Sequence, residues 1–248
     1  MHGKQNPVVG TTPDVCITID VEHDCPPFLT TYRGIEEGIP RLLSLFSEEK
    51  IVATFFTTGD VARKYPTMVA EIVNGGHELG SHGDTHQRFG QMTHEQAETE
   101  LQESAKILRQ FAKVTAFRAP NLDFPARFLP LLAESGYELD SSLGRHKWGS
   151  YFVKPHVACG IRRIPASISP SPLRTPKRCR DWLLSLLESP AVLFFHPWEF
   201  VDMTRQPLRF DNRLRTGLPA VSCLRETIRF WKQRKARFRP ISDLQIDS

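Results

Sequence analysis

Two short stretches of the sequence concentrate residue types that bind metal ions and transfer protons. The first, IDVEHD at residues 19–24, contains three carboxylates and a histidine directly after an apolar run. The second, SHGDTH at residues 81–86, places His82 and His86 four positions apart. Neighbouring carboxylates repel one another, and a divalent cation among them would compensate that repulsion. Two histidines with one carboxylate are also a donor set that leaves positions open for water in hydrolytic metal sites.

The histidine pair alone is a weak signal, because HxxxH spacing is common in surface and helix-capping histidines. Its flanks strengthen the metal interpretation, since Gly80 and Gly83 allow close approach of the backbone and an apolar strand precedes the pair. The acidic stretch after VCITI would supply the carboxylate ligand. The sequence therefore predicts a metal site shared by these two stretches.

Two further polar residues follow apolar runs that have the character of strands. His196 comes directly after AVLFF, where it is either a general acid in a pocket or a core histidine bonded to a backbone carbonyl. Arg118 lies in FRAP, where it either pairs with any nearby acid or holds a catalytic aspartate ionised and oriented.

The elements that must position these residues alternate along the chain. Strands are expected at 15–21, 51–59, 77–82, 114–120, 191–200 and 238–244, and helices at 35–49, 60–76, 92–111, 126–136, 179–189 and 218–235. This alternation predicts parallel strands joined by helical crossovers. In barrels of this class the chemistry lies at the carboxyl ends of the strands, where the polar residues fall. Residues 141–177 are expected to form a long loop.

Composition excludes several classes of protein. The chain has 248 residues, 40% of them apolar and 24% charged, and no run of about 18 apolar residues that would indicate a membrane span. Its five cysteines are an odd number, widely spaced, with no CxxC pair, which argues against a thiolate zinc site and a disulfide framework. The first residues, MHGKQNPVVGTTPD, have no apolar core, so the sequence predicts a cytoplasmic protein.

The net charge of +4 is mild, and its basic excess is concentrated at 225–239. A solvated helix face is the expected role of this segment, with contact to an anionic membrane surface as the alternative. No nucleic-acid-reading motif accompanies it, so no nucleic-acid partner is expected.

The order TIDVEHD, ATFFTTGDVARKYPTMVAEIVNGGHELGSHGDTH, FRAP and FFHP resembles the polysaccharide deacetylases of carbohydrate esterase family 4, which share the nodulation-deacetylase (NodB) homology domain. The resemblance covers roughly residues 14–244. It implies an α/β fold, a distorted (β/α) barrel of about seven units in a single domain. The catalytic domain would span 14–248, after a flexible N-terminal segment at 1–13.

The resemblance also implies roles for individual residues. His82 and His86 would bind the metal, Arg118 would tether the catalytic base, and His196 would be the general acid. Asp20 matches the base of the first motif.

The first motif departs from the usual pair of adjacent aspartates, because Val21 stands where the second, metal-binding aspartate would be. Some members have an Asp-x-Asp pattern, which would make Glu22 the ligand and place this chain in a divergent subgroup. Side chains two apart on a strand point to the same face, so Glu22 shares the face of Asp20. Asp24 has the same parity, and the choice between Glu22 and Asp24 stays open.

Two later motifs also differ. Asn121 follows the proline of FRAP where the family usually has an aromatic residue, so its backbone amide could bind the oxyanion but the sugar-stacking ring is missing. The fourth motif, which lines the acyl pocket, is not recognisable, and its candidates are Asp140, Trp148 and the region 140–177.

The activity implied is hydrolysis of an N-acetyl or other N-acyl group on a sugar, with zinc as the expected metal and Co²⁺, Ni²⁺, Mn²⁺ or Fe²⁺ as alternatives. The predicted location favours an intermediate of surface-polysaccharide biosynthesis, such as an O-antigen (lipopolysaccharide) sugar. A cyclic-amide hydrolase of the same fold, like the allantoinase relatives, and a non-catalytic carbohydrate-binding protein on this fold are the alternatives. The sequence specifies neither the sugar, its carrier nor the oligomeric state.

Overall fold

The first apolar run of the sequence, DVCITIDV, forms the first strand of the fold, β1 (Asp14–Val21), which is buried from Val15 onward. The computed structural model describes residues 12–145 and 153–246. Most of the predicted flexible segment 1–13, and the predicted pocket residue Trp148, therefore lie outside the described residues.

Within the described residues one curled sheet carries the fold. Its order is β6-β7-β5-β4-β3-β2-β1-β8, and β9 pairs with β1 off this path. All pairs are parallel except β6 with β7. After β1, the strands are β2 (Thr54–Thr57), β3 (Glu78–Ser81), β4 (Ala116–Phe117), β5 (Leu139–Asp140), β6 (His156–Ala158), β7 (Ile161–Arg163), β8 (Ala191–Phe195) and β9 (Arg237–Phe238).

A short extended segment at 166–168 closes this sheet into a ring. Ala166 forms a parallel bridge with Gly144, beyond the end of β5, and Ile168 forms one with Leu193 of β8. The seven strands of the barrel are then β1 to β5, residues 166–168 and β8. The predicted fold class, a distorted (β/α) barrel of about seven units, is confirmed.

Helices cover the outside of the sheet, and all but the short helix Phe210–Arg213 bury apolar residues. They are α1 (Ile39–Glu49), α2 (Gly59–Lys64), α3 (Pro66–Asn74), α4 (His94–Leu108), α5 (Leu129–Glu134), α6 (Pro170–Leu173), α7 (Lys177–Ser185), α8 (Phe210–Arg213) and α9 (Leu218–Gln233). A capping box begins α4, in which Thr93 and Gln96 each bond the other's backbone N–H. It fixes the start of the crossover helix between β3 and β4.

Three predictions of secondary structure are wrong. The strand expected over 238–244 is only β9, followed by a 3₁₀ turn at Ile241–Asp243. The single helix expected over 60–76 is divided into α2 and α3, because Pro66 disfavours helical geometry at Tyr65, whose ψ is 55°. The loop expected over 141–177 contains the hairpin β6–β7 and the short helix α6. Its two-residue turn, Cys159-Gly160, has positive φ at both positions, typical of a type I′ turn. These strands are only three residues long, too short to leave an apolar pattern.

The basic segment 225–239 is largely paired within the protein. Arg225, Arg229 and Lys232 of α9 all contact the carboxylate of Glu49 at the end of α1. These ion pairs link α9 to α1, so much of the positive charge on α9 is balanced internally. Within the described residues no helix combines the length and the apolar character needed to span a bilayer.

Candidate functional site

One pocket at the carboxyl ends of β1, β3 and β8 brings together the predicted site residues. Six of the seven line it, and the seventh, Arg118, lies directly beneath it. The lining residues are Asp20, Glu22, Cys25, Pro26, His82, His86, Asn121, Leu122, Phe194, His196, Trp198 and Asn212. Because parallel strands end at the same edge of the barrel, residues far apart in sequence meet here.

Three of these side chains form a compact donor cluster. His82 Nε2 lies 3.1 Å and His86 Nε2 2.5 Å from the same oxygen, Oε2 of Glu22. Each residue of the cluster offers a ligand atom, and these atoms all lie within 4.8 Å of one another. The other ring nitrogen of His82, Nδ1, is 2.7 Å from the backbone carbonyl of Arg118. That contact fixes the ring so that Nε2 faces the cluster, as in metal-binding histidines.

This donor set fits a first-row divalent metal ion. Ligand atoms bound at about 2.0–2.1 Å to a tetrahedral zinc lie about 3.3 Å from one another, and the ligand atoms of the cluster all lie within 4.8 Å of one another. Burial acts to raise the pKa of Glu22, but His86 and His82 outweigh it and hold that pKa well below its usual range. The carboxylate is therefore charged and available to a cation.

Asp24, the other carboxylate considered as a ligand, is engaged elsewhere. It is fully buried, and Oδ2 accepts hydrogen bonds from Thr31 Oγ1 at 2.7 Å and from the backbone N–H of Arg33 at 2.9 Å. Its other oxygen accepts the backbone N–H of Gly34 at 2.8 Å. Asp24 thus holds the loop that follows β1, and it does not line the pocket.

Asp20 is fixed by the buried guanidinium of Arg118. Arg118 Nη1 donates to Asp20 Oδ1 and to Thr18 Oγ1, both at 2.7 Å. Its Nε and Nη2 donate to the backbone carbonyl and hydroxyl of Ser141, and the ring of Phe56 covers its face at 4.3 Å. A fully paired arginine of this kind orients the Asp20 carboxylate toward the pocket and supplies its counter-charge.

His196, at the end of β8, is held by a carboxylate that sequence reasoning missed. Glu199 Oε1 accepts the backbone N–H of His196 at 2.9 Å and lies 3.0 Å from Nδ1. The indole of Trp198 stacks on the imidazole, with ring centroids 5.3 Å apart. The available signal was the glutamate three residues after His196 in HPWEF, at the end of an apolar strand. Nε2 of His196 is left to face the pocket.

Glu199 is in turn paired with Arg174, which sequence reasoning also missed. Arg174 Nε lies 3.1 Å from Glu199 Oε2, and both side chains are almost fully buried. The same guanidinium donates to the backbone carbonyls of Asp211, Asn212 and Leu214 at the rim of the pocket. One arginine therefore connects the support of His196 to the rim.

The environment of His196 favours its protonated form. Burial acts to lower the pKa of His196, but the hydrogen bond with Glu199 and the charge of Glu22 outweigh it and raise the pKa to about 9. A histidine that carries its proton at neutral pH has the state that a general acid requires.

Of the remaining predicted residues, Asn121 lies at the pocket and Asp140 does not. Asn121 lines the pocket from a tight turn and has a left-handed backbone, with φ of 59°. Asp140 does not line the pocket, so its prediction as an acyl-pocket residue is wrong: it is fully buried and bonds Arg163 Nε at 2.8 Å and the N–H of Ser142 at 2.9 Å. Leu122 and Phe194 are buried neighbours at the pocket, in an apolar cluster with Ala166.

A sequence model of the family described as polysaccharide deacetylase matches residues 11–139, more than half of the chain. The chain belongs to the polysaccharide deacetylase family. One relative is a peptidoglycan deacetylase of Helicobacter pylori, which is 33% identical to this chain over 160 residues. The matched region covers 62% of this chain and 51% of the relative. A chitooligosaccharide deacetylase of Sinorhizobium fredii is 30% identical over 84 residues, which cover 33% of this chain and 39% of the relative. The chain thus spans about half or less of the length of these two relatives.

Solved structures of the polysaccharide deacetylase family share the fold. A carbohydrate esterase family 4 pseudoenzyme from Bacillus anthracis matches this structure with a TM-score of 0.65 and 16% sequence identity. The match covers 94% of this chain and 66% of the pseudoenzyme chain. At that identity the likeness shows the fold alone. It supports the barrel and carries no statement about activity.

Proposed function

We propose that this chain is a metal-dependent hydrolase that removes an N-acetyl, or related N-acyl, group from a sugar of a cell-surface polysaccharide. The observation that carries the proposal is the single pocket in which the Glu22–His82–His86 cluster lies beside Asp20 and His196. The names of the two curated relatives, both sugar deacetylases, support the substrate class. An intermediate of lipopolysaccharide, such as an O-antigen sugar, is the finer substrate to test.

The residues of the pocket divide the proposed reaction between them. A divalent cation on Glu22, His82 and His86 would polarise the acyl carbonyl and acidify a water molecule. Asp20, oriented by Arg118, accepts the proton of the attacking water. The proton on His196 Nε2 passes to the amine nitrogen as the C–N bond breaks, because Nδ1 is engaged by Glu199.

Asn121 completes the proposed set of catalytic groups. Its turn places the residue at the pocket, and its backbone N–H would donate to the oxygen that becomes negatively charged. A single donor of this kind contributes about 2.7–4 kcal/mol to transition-state stabilisation in known hydrolases.

The test is acetate release. We expect the zinc- or cobalt-loaded protein to release acetate from at least one of three substrates: a chitooligosaccharide, a peptidoglycan fragment and a nucleotide-linked N-acetyl sugar. Removal of the metal with a chelator should lower the rate to background, and added metal should restore it. Ring opening of allantoin without acetate release would favour the cyclic-amide alternative. Failure to bind any metal would favour the non-catalytic alternative.

Replacing Glu199 with glutamine should move the alkaline limb of the kcat–pH profile to lower pH. A general acid is active while protonated, so activity is lost as the pH rises through its pKa, and Glu199 raises the pKa of His196. A hydrogen bond to a charged group is worth about 1.5–3 kcal/mol, which corresponds to a displacement of about 1–2 pH units.

The control for this variant is Glu226→Gln, which removes a carboxylate paired with another buried arginine, Arg180, away from the pocket. Its alkaline limb should not move. An unchanged limb in Glu199→Gln would show that His196 is not the group protonated in the reaction.

A further inference from the structure

The turn at residues 83–85, between the two ligand histidines, is held by neighbouring helices. At the N-terminus of α2, the N–H of Gly59 donates to the carbonyl of Gly83 at 3.0 Å and that of Asp60 to the carbonyl of Asp84 at 2.9 Å. A Cβ on Gly59 would lie 1.9 Å from Asp84 Oδ1, so another residue there would displace the Asp84 side chain from its ion pair with Arg63.

A buried carboxylate on α4 binds the opposite side of this turn. Glu100 Oε1 accepts the backbone N–H of Asp84 at 2.8 Å and that of Thr85 at 2.6 Å, and Oε2 accepts the hydroxyl of Thr85 at 3.0 Å. Glu100 is only 7% exposed and does not line the ligand pocket. A carboxylate is costly to bury without partners, and here its donors come from the turn.

His86 follows this anchor directly and has an unfavourable backbone conformation. Its φ is 60°, in the left-handed region that residues other than glycine seldom adopt. Such a conformation persists where the surrounding structure enforces it. Since Thr85 is fixed at both its N–H and its hydroxyl, the chain enters His86 from a position that Glu100 determines.

We propose that Glu100 is a positioning residue for the metal ligand His86, which it orients by binding the N–H groups of Asp84 and Thr85. The inference rests on the proposed function, because it assumes that the cluster binds a metal. Partners that orient metal ligands typically contribute 10- to 100-fold to metal affinity. Glu100 lies 14 residues after the HxxxH pair and belongs to no part of the four motifs that carried the family resemblance.

The experiment measures zinc affinity by competition of the metal-free protein with a chromophoric chelator, beside the melting temperature of the metal-free protein. Glu100→Ala should weaken zinc binding by about 10- to 100-fold. Glu100→Gln should stay within about threefold of wild type, since its amide oxygen can accept the same N–H groups. Burial raises the pKa of Glu100, which makes the neutral isostere a close substitute. Glu103→Ala, at an exposed position of α4, is the matched control and should leave zinc affinity unchanged.

Glu100→Asp decides the question if the alanine variant does not fold. It keeps the carboxylate but shortens the side chain by one methylene, so it cannot reach both N–H groups of the turn. A weaker zinc affinity and a changed visible spectrum of the cobalt-loaded protein would support the proposal. A folded Glu100→Ala or Glu100→Asp with wild-type zinc affinity would overturn it and leave the proposed function intact. A wild-type protein that binds no metal would instead refute the proposed function.

Discussion

Replacing Asp20 with asparagine is expected to lower kcat by about 10²–10⁴-fold while zinc affinity stays within about threefold of wild type. The amide is nearly isosteric with the carboxylate and can still accept the hydrogen bond from Arg118 Nη1, but it cannot accept a proton from water. The measurements are acetate release under saturating substrate and chelator competition for zinc.

The matched control for this variant is Asp140→Asn. Asp140 is also a fully buried aspartate paired with an arginine, Arg163, but it does not line the pocket. We expect this change to lower the melting temperature and to leave kcat of the folded protein near wild type. Equal losses of kcat in both variants would indicate that Asp20 acts through folding alone, and a fully active Asp20→Asn would remove Asp20 as the base.

Replacing Glu22 with glutamine is expected to weaken zinc binding by more than about 100-fold, beyond the range of partners that only orient a ligand. Glu22 supplies the one carboxylate of the donor cluster, and its Oε2 is the oxygen that both histidines face. An amide oxygen is a weaker, uncharged donor for a divalent ion. Zinc content after dialysis and chelator competition both measure this loss.

Asp24→Asn provides the comparison that decides between the two carboxylates. Its oxygens accept hydrogen bonds from Thr31, Arg33 and Gly34, so its change should lower the melting temperature and keep zinc affinity within about threefold of wild type. The assignment of Glu22 as ligand would be wrong if Glu22→Gln bound zinc normally and Asp24→Asn did not.

Residues on regular strands were the most predictable part of the site. Period-two alternation already predicts that Glu22, directly after β1, points to the same side as Asp20 on β1. The carboxyl ends of parallel strands bring His82 and His196 to the same edge. The role of Asp24 could not be predicted in this way. It lies past the end of β1, where its environment depends on how the loop returns to Arg33 and Gly34.

The supports of the site were not predictable from the sequence. In the sequence, Glu100 is one of several polar residues of an amphipathic helix. Only the packing of α4 against the 83–85 turn supplies its carboxylate with three hydrogen-bond donors. Arg174 lies 25 residues from Glu199, in a region whose three-residue strands carry no apolar pattern. Long-range pairs of this kind are fixed by tertiary contacts and not by local periodicity.

The contacts of Arg174 have a consequence for how substrate preference could diverge. Arg174 binds the rim at residues 211–214 through backbone carbonyls and not through side chains. Point substitutions at Asp211 or Asn212 can therefore change what the rim recognises and leave the support of Glu199 in place. An insertion or deletion in this segment would shift the carbonyls and disturb His196, the proposed general acid, at the same time. Redesign of the proposed sugar preference should vary the chemistry of the rim and preserve its length.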